Sequence, residues 1–131
     1  DVGNIFNLDE NRACIFLKEV PDPERFGVPV FAESATGEAI SITTIEEKPE
    51  FPQSPYAVTG LYYYPSEVFD FLPLLKPSSR GEIEITDVNN YFAAQEAIDF
   101  VRLNGFWSDA GTFDSLLKSS IWAKENFLLD K

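Results

Sequence analysis

Four short stretches of this chain carry side chains and glycines whose types and spacing suit ligand chemistry. Glu46-Glu47-Lys48-Pro49 sets two carboxylates and an ammonium beside a proline. Thr59-Gly60-Leu61-Tyr62 places a glycine and a phenol in one apolar run. Arg80-Gly81-Glu82 stands ahead of Ile85-Thr86-Asp87. Trp107-Ser108-Asp109-Ala110-Gly111-Thr112 holds a carboxylate between an indole and a glycine. A lysine at a strand end reaches an anionic group as a mobile point charge. An arginine such as Arg80 can hold a phosphate bidentately. A carboxylate such as Glu47 accepts hydrogen bonds from sugar hydroxyls, and one such as Asp109 can ligate Mg²⁺ through one bond. Each stretch falls where a predicted element ends, and rigid elements hold such residues in place. The ordered set points to one site assembled from several strand ends.

Each residue also has a plainer reading. Lys48 can pair with Glu46 or Glu47 at the surface, and Glu47 can be a solvated loop acid. Taken singly, these readings are the better ones. Tyr62 alone is better explained by core packing. Gly60 inside a strand suits the close approach of a ligand or another backbone, or equally a bulge. Arg80 can pair with Glu82 or Glu84. Asp109 can cap the last helix. Gly27, after Phe26, can admit a ligand to the backbone, although a turn is the commoner reason for such a glycine.

The elements that must position these groups follow from the hydrophobic pattern. Residues 13–20, 28–32, 39–45, 57–64 and 99–103 read as strands, rich in β-branched and aromatic residues. Ala35-Thr36-Gly37-Glu38 is a hairpin turn, with Ile40, Ile42 and Thr44 on one face of the returning strand. Three prolines make 47–55 a loop. A helix begins near Pro65-Ser66 and stops early or kinks at Pro73. Thr86 or Asp87 caps a second helix running to Ala94 or Ala97, and Thr112 caps the last. Strands alternate with helices, so the expected fold is α/β, a mixed β-sheet with flanking helices, in a single domain over residues 1–131.

Composition narrows the function classes. The 131 residues suit one domain, and 44% hydrophobic with 15% aromatic content supplies a core. The net charge of -12 disfavours nucleic acid and anionic membranes, both of which attract basic surfaces. No histidine is present, which excludes Ser-His-Asp catalysis and Cys/His zinc sites. The one cysteine, Cys14, lies in an apolar run and reads as a small buried hydrophobe. The acidic first ten residues do not read as a signal peptide, and no apolar run approaches a membrane span. The cytoplasm is the expected compartment.

As an ordered set the motifs resemble the second half of a sugar-1-phosphate nucleotidyltransferase, closest to the glucose-1-phosphate thymidylyltransferases. The matching segments are Asp22-Pro23-Glu24-Arg25-Phe26-Gly27-Val28, Ile45-Glu46-Glu47-Lys48-Pro49, Tyr56-Ala57-Val58-Thr59-Gly60-Leu61-Tyr62, Arg80-Gly81-Glu82-Ile83-Glu84-Ile85-Thr86-Asp87, and the run from Trp107 to Leu116. The resemblance as a whole covers residues from about Ala13 to Trp122. The resemblance implies part of a Rossmann-like nucleotide-diphospho-sugar transferase fold. It implies a Mg²⁺-assisted reaction of a nucleoside triphosphate with glucose 1-phosphate, giving a nucleoside-diphosphate glucose and pyrophosphate. By similarity Gly27, Glu47, Val58, Gly60 and Tyr62 line the sugar pocket. Lys48 and Arg80 hold the sugar phosphate, Asp109 binds Mg²⁺, and Trp107 shapes the pocket beside it. The family's glycine-rich triphosphate loop has no counterpart, because no two of the seven glycines stand close enough. Gly3 occupies the position of the family's first metal aspartate, with Asp1 two residues away. Two functions follow as expectations: a truncated transferase inactive alone, or a non-catalytic module that binds sugar phosphate or assembles. The expected partners are a sugar 1-phosphate and either further copies of the chain or a separate nucleotide-binding half.

Overall fold

A computed structural model describes residues 8–78, 81 and 83–127. Asp1, Gly3, Arg80 and Glu82 therefore lie outside the described residues. The elements in chain order are β1 (Ala13–Glu19), β2 (Gly27–Glu33), β3 (Ala39–Glu47), β4 (Tyr56–Tyr63), α1 (Val68–Phe71), α2 (Ile85–Ala94), β5 (Ile98–Arg102) and α3 (Phe113–Phe127). Short 3-10 turns occupy Pro23–Arg25 and Leu72–Leu74. The fold is mixed α/β, as the pattern predicts.

Strand β1 is the axis. It pairs antiparallel with β4 on one side and parallel with β5 on the other. Its run Ala13-Cys14-Ile15-Phe16-Leu17 is buried on both faces, which is why it reads as continuous rather than alternating. The hairpin β2–β3 does not join this sheet. It forms its own ribbon, with Phe31 set against Tyr56 and Phe100 at ring distances of 6.1 and 5.2 Å. Ile15 and Leu17 of β1, Ile42 and Ile45 of β3, and Val88 and Phe92 of α2 meet in the core. Arg12 forks onto Asp99 at 2.9 and 2.8 Å and ties the start of β1 to β5.

Three local expectations change. Strand β3 does not alternate simply. Thr43 is an extra residue opposite β2, and its hydroxyl donates to Val30 O at 3.1 Å. That bulge turns Ile42 and Ile45 to the same buried face. A second irregularity at Ile40 leaves that side chain 63% exposed. Gly60 likewise sits in an irregularity, since Ile15 pairs with Tyr62 but Leu17 with Val58. Here Thr59 donates to the Phe16 carbonyl at 2.8 Å. The bulge read at Gly60 is present, and a Cβ there would meet open space. The third change concerns α2. It starts at Ile85 after Glu84, so Thr86 and Asp87 are inside its first turn rather than capping it. Pro73 does end α1 early, and Thr112 does cap α3, exchanging bonds of 3.1 and 3.0 Å with Ser115. Among the described residues no helix is long and apolar enough to cross a membrane.

Candidate functional site

The hairpin register places Gly27 directly across from Glu47. Helix α2 then closes the corner. Asn90 accepts from Ile45 N at 2.7 Å and donates to Ile45 O at 2.9 Å, so one side chain clamps the end of β3. One helical turn earlier, the buried Thr86 hydroxyl donates to Glu47 Oε2 at 2.6 Å. A Cβ on Gly27 would lie 3.3 Å from Ile45 Cγ2 and 3.4 Å from Glu47 Oε2, so the glycine leaves room for the carboxylate. The result is a cavity of about 190 Å³ that brings together Gly27, Glu47, Val58 and Tyr62 with Arg25, Thr86 and Asn89. Gly60 does not line it. Burial, and then the charge of Glu47, raise the Tyr62 phenol above its ordinary pKa, so it stays protonated. Its ring stacks on Tyr64, which stacks on Phe92, so packing and pocket lining coexist at Tyr62.

Lys48 follows in a left-handed conformation, with φ of 47°, and its N–H donates to Phe26 O at 2.9 Å. Its ammonium is 4.0 Å from Glu47 Oε1, a loose pair at an exposed position. The ammonium thus has reach to spare for an anion. Ala110, beside Asp109, is also left-handed at φ 51°. Non-glycine residues held this way carry strain of the kind that gathers at functional segments.

A second concavity, about 170 Å³, adjoins the first and shares Arg25 and Phe26 with it. It holds Trp107, Ser108 and Asp109. The Phe26 and Trp107 rings meet edge-on at 5.6 Å. Lys18 anchors the approach to this loop through Gly105 O at 2.7 Å. Asp109 does not cap α3. Its Oδ2 pairs with Arg25 at 3.3 Å, while Arg25 also holds Asp22 at 2.7 Å. A Cβ on Gly111 would stand 3.0 Å from that same Oδ2, a tight contact that a small shift of the carboxylate would relieve. Among the described residues no three His, Cys, Asp or Glu come together to hold a metal. Asp109 alone offers one carboxylate, which suits Mg²⁺ because that ion completes its shell with phosphate oxygens and water.

Thus Gly27, Glu47, Val58 and Tyr62 share one pocket and Trp107 and Asp109 share its neighbour. Lys48 lines neither cavity; its backbone N–H is bonded to the carbonyl of Phe26, which lines both. Arg80 lies outside the described residues. The sequence pattern did not single out Arg25 as a site residue, and it offered Thr86 only as a helix cap. Arg25 sits in the Asp22-Pro23-Glu24-Arg25-Phe26-Gly27 run, which was the available signal.

The family model described as nucleotidyl transferase matches residues 6–125. The chain belongs to this family. It is 43% identical over 106 residues to the glucose-1-phosphate thymidylyltransferase of Neisseria meningitidis, covering 79% of this chain and 35% of that protein. It is 35% identical over 130 residues to the bifunctional protein GlmU of Methanococcus aeolicus, covering 99% of this chain and 30% of that one. The chain thus spans about a third of the length of the curated relatives it matches. Among solved structures it is similar to a glucose-1-phosphate thymidylyltransferase from Bacillus anthracis in complex with sucrose. The TM-score is 0.77 at 42% identity, over 92% of this chain and 47% of that one. It is also similar to UDP-glucose pyrophosphorylase complexed with UDP-glucose, with a TM-score of 0.73 at 27% identity, over 88% and 45%. The structural neighbours are nucleotide-diphospho-sugar transferases.

Proposed function

We propose that this chain is the sugar-phosphate-binding part of a sugar-1-phosphate nucleotidyltransferase acting on glucose 1-phosphate. The pocket joining Gly27, Glu47, Val58 and Tyr62 supports this reading most strongly. Glu47 Oε2 is taken by Thr86, and Oε1 remains to accept from a sugar hydroxyl. Lys48 and Arg80 neutralise the sugar phosphate. Trp107 walls the neighbouring concavity, where Asp109 would hold Mg²⁺ through one oxygen in place of its Arg25 contact. That ion, when bound, neutralises charge on the reacting phosphates. In the proposed reaction a phosphate oxygen of the sugar 1-phosphate forms a bond to the α-phosphorus of the triphosphate. The bond from that phosphorus to the bridging oxygen breaks, and pyrophosphate leaves. The residues of this chain orient and neutralise the acceptor, which is positioning and electrostatic work. The triphosphate is left to a glycine-rich loop that this sequence does not contain.

A second reading, a module that binds or assembles without catalysis, is favoured by the surface of α3. Phe113, Leu116, Leu117 and Ile121 are all about half exposed or more. Such surfaces find partners. Sedimentation at high concentration is expected to show self-association, and a monomer throughout would contradict it.

Saturation-transfer NMR tests the main reading. Glucose 1-phosphate is expected to receive transfer from the protein, and glucose to receive much less. No transfer would refute it. Incubation with glucose 1-phosphate, dTTP and Mg²⁺ is expected to release no pyrophosphate, because the sequence holds no glycine-rich loop to cradle the triphosphate. Clear turnover would overturn that part of the account.

A further inference from the structure

One buried donor in the Glu47 pocket has no partner. Asn89 is 1% exposed and lines the cavity with Glu47, Tyr62 and Gly27. It lies three residues after Thr86 on α2, so the two share a helix face. Its Oδ1 accepts from the Tyr64 hydroxyl at 2.5 Å. That distance fits an O–H···O bond and is short for N–H···O, which assigns the oxygen to the Tyr64 side. The Nδ2 is then left as a buried side-chain atom without a hydrogen-bond partner, the only such atom among the described residues. Leaving a buried donor unmade is costly, and such groups call for an explanation.

Resting on the sugar-phosphate reading, we propose that Asn89 is a specificity-determining residue whose Nδ2 donates to a hydroxyl of the bound sugar, directly or through one water. The chemistry of the pair explains why a hydroxyl is selected. Glu47 Oε1 can only accept, and Asn89 Nδ2 can only donate. A hydroxyl both donates and accepts, so one group satisfies both. A carbon–hydrogen or an ether oxygen satisfies at most one. Tyr64 holds the amide in the orientation that keeps the N–H free, and the stack of Tyr64 between Tyr62 and Phe92 fixes Tyr64 in turn. The pocket thereby acquires a selectivity element that is distinct from the charges at Lys48 and Arg80.

Protein-observed NMR with glucose 1-phosphate reads this directly. The Asn89 side-chain amide resonances are expected to move on titration, together with backbone signals of Glu47 and Tyr62. Calorimetry with the monodeoxy analogues supplies the second arm. The unaltered chain is expected to bind one analogue about tenfold more weakly than the others, the size of one net hydrogen bond. Asn89→Asp keeps the acceptor for Tyr64 and removes the donor, so that preference is expected to vanish. If glucose 1-phosphate binds and shifts Glu47 while the Asn89 amide stays still, or if the preference survives Asn89→Asp, the inference is wrong and the sugar-phosphate reading stands. If the unaltered chain binds no sugar phosphate at all, both fall.

Discussion

Helices α2 and α3 are both amphipathic in sequence, yet they sit in the molecule differently. Helix α2 buries Thr86, Val88, Asn89, Phe92 and Ala93 against the sheet and the ribbon. Helix α3, half as long again, buries none of its residues. Its attachments are local ones, such as the stack of Trp122 on Phe106 at 4.6 Å and the bond of 3.3 Å from Ser108 to Ser115 O. The difference reaches the site. Glu47 is fixed by a helix that belongs to the core, through Thr86 and the Asn90 clamp. Asp109 is held by one ion pair to Arg25, at the foot of a helix with an uncovered apolar side. The Glu47 side of the site is a finished piece of structure, whereas the Asp109 side rests on surface contacts.

Stability measurements can break that contrast. Phe92→Ala is expected to cost about 3–5 kcal/mol in denaturant unfolding, the range for a buried aromatic. Leu117→Ala on α3 should stay within about 0.5 kcal/mol, as for an exposed position. Equal effects would mean that α3 is packed as firmly as α2. Alkaline pH probes the sheet. Burial pushes the Cys14 thiol from 9.0 up to about 11 and raises Tyr62 and Tyr64 as well. These groups stay neutral in the folded chain while the unfolded chain loses its protons first. Stability is therefore whole below pH 9 and falls as the pH rises toward about 11, by about 1.4 kcal/mol per pH unit from Cys14, with the tyrosines adding to the loss only above about pH 10. A flat pH profile of unfolding across that range would show that these groups are not sheltered. Asn90→Ala has a smaller expected cost, about 1–3 kcal/mol, since it strips partners from Ile45 N and O. Its sharper readout is local. Amide signals at Ile45 and Glu47 should shift while those near Asp109 do not.

Much of this was legible in the sequence, and the misses share a cause. Strand β1 declared itself because a continuous apolar run needs cover on both faces. Pro73 and Thr112 acted through their own backbone neighbourhood, so local chemistry was enough. Thr86 was read as a cap because Thr and Asp at a helix start usually cap it. Its actual partner, Glu47, is 39 residues away and left no local trace. Arg25 and Asp109 are 84 residues apart, with the same result. The bulge at Gly60 was one of the two readings its glycine offered, but the bulge at Thr43 broke the two-residue period with no residue to signal it. The left-handed Lys48 was hidden as well, because a lysine before proline gives no reason to expect φ above zero.

The central claim is that the Glu47 corner is a sugar-phosphate site, with the exposed ammonium of Lys48 as its neighbouring charge. Calorimetric titration of glucose 1-phosphate into the unaltered chain and into Lys48→Ala tests it most directly. The account predicts measurable binding that weakens by about tenfold or more without the ammonium, as expected for a charge-assisted contact. No heat from the unaltered chain, or equal affinity in Lys48→Ala, would contradict it.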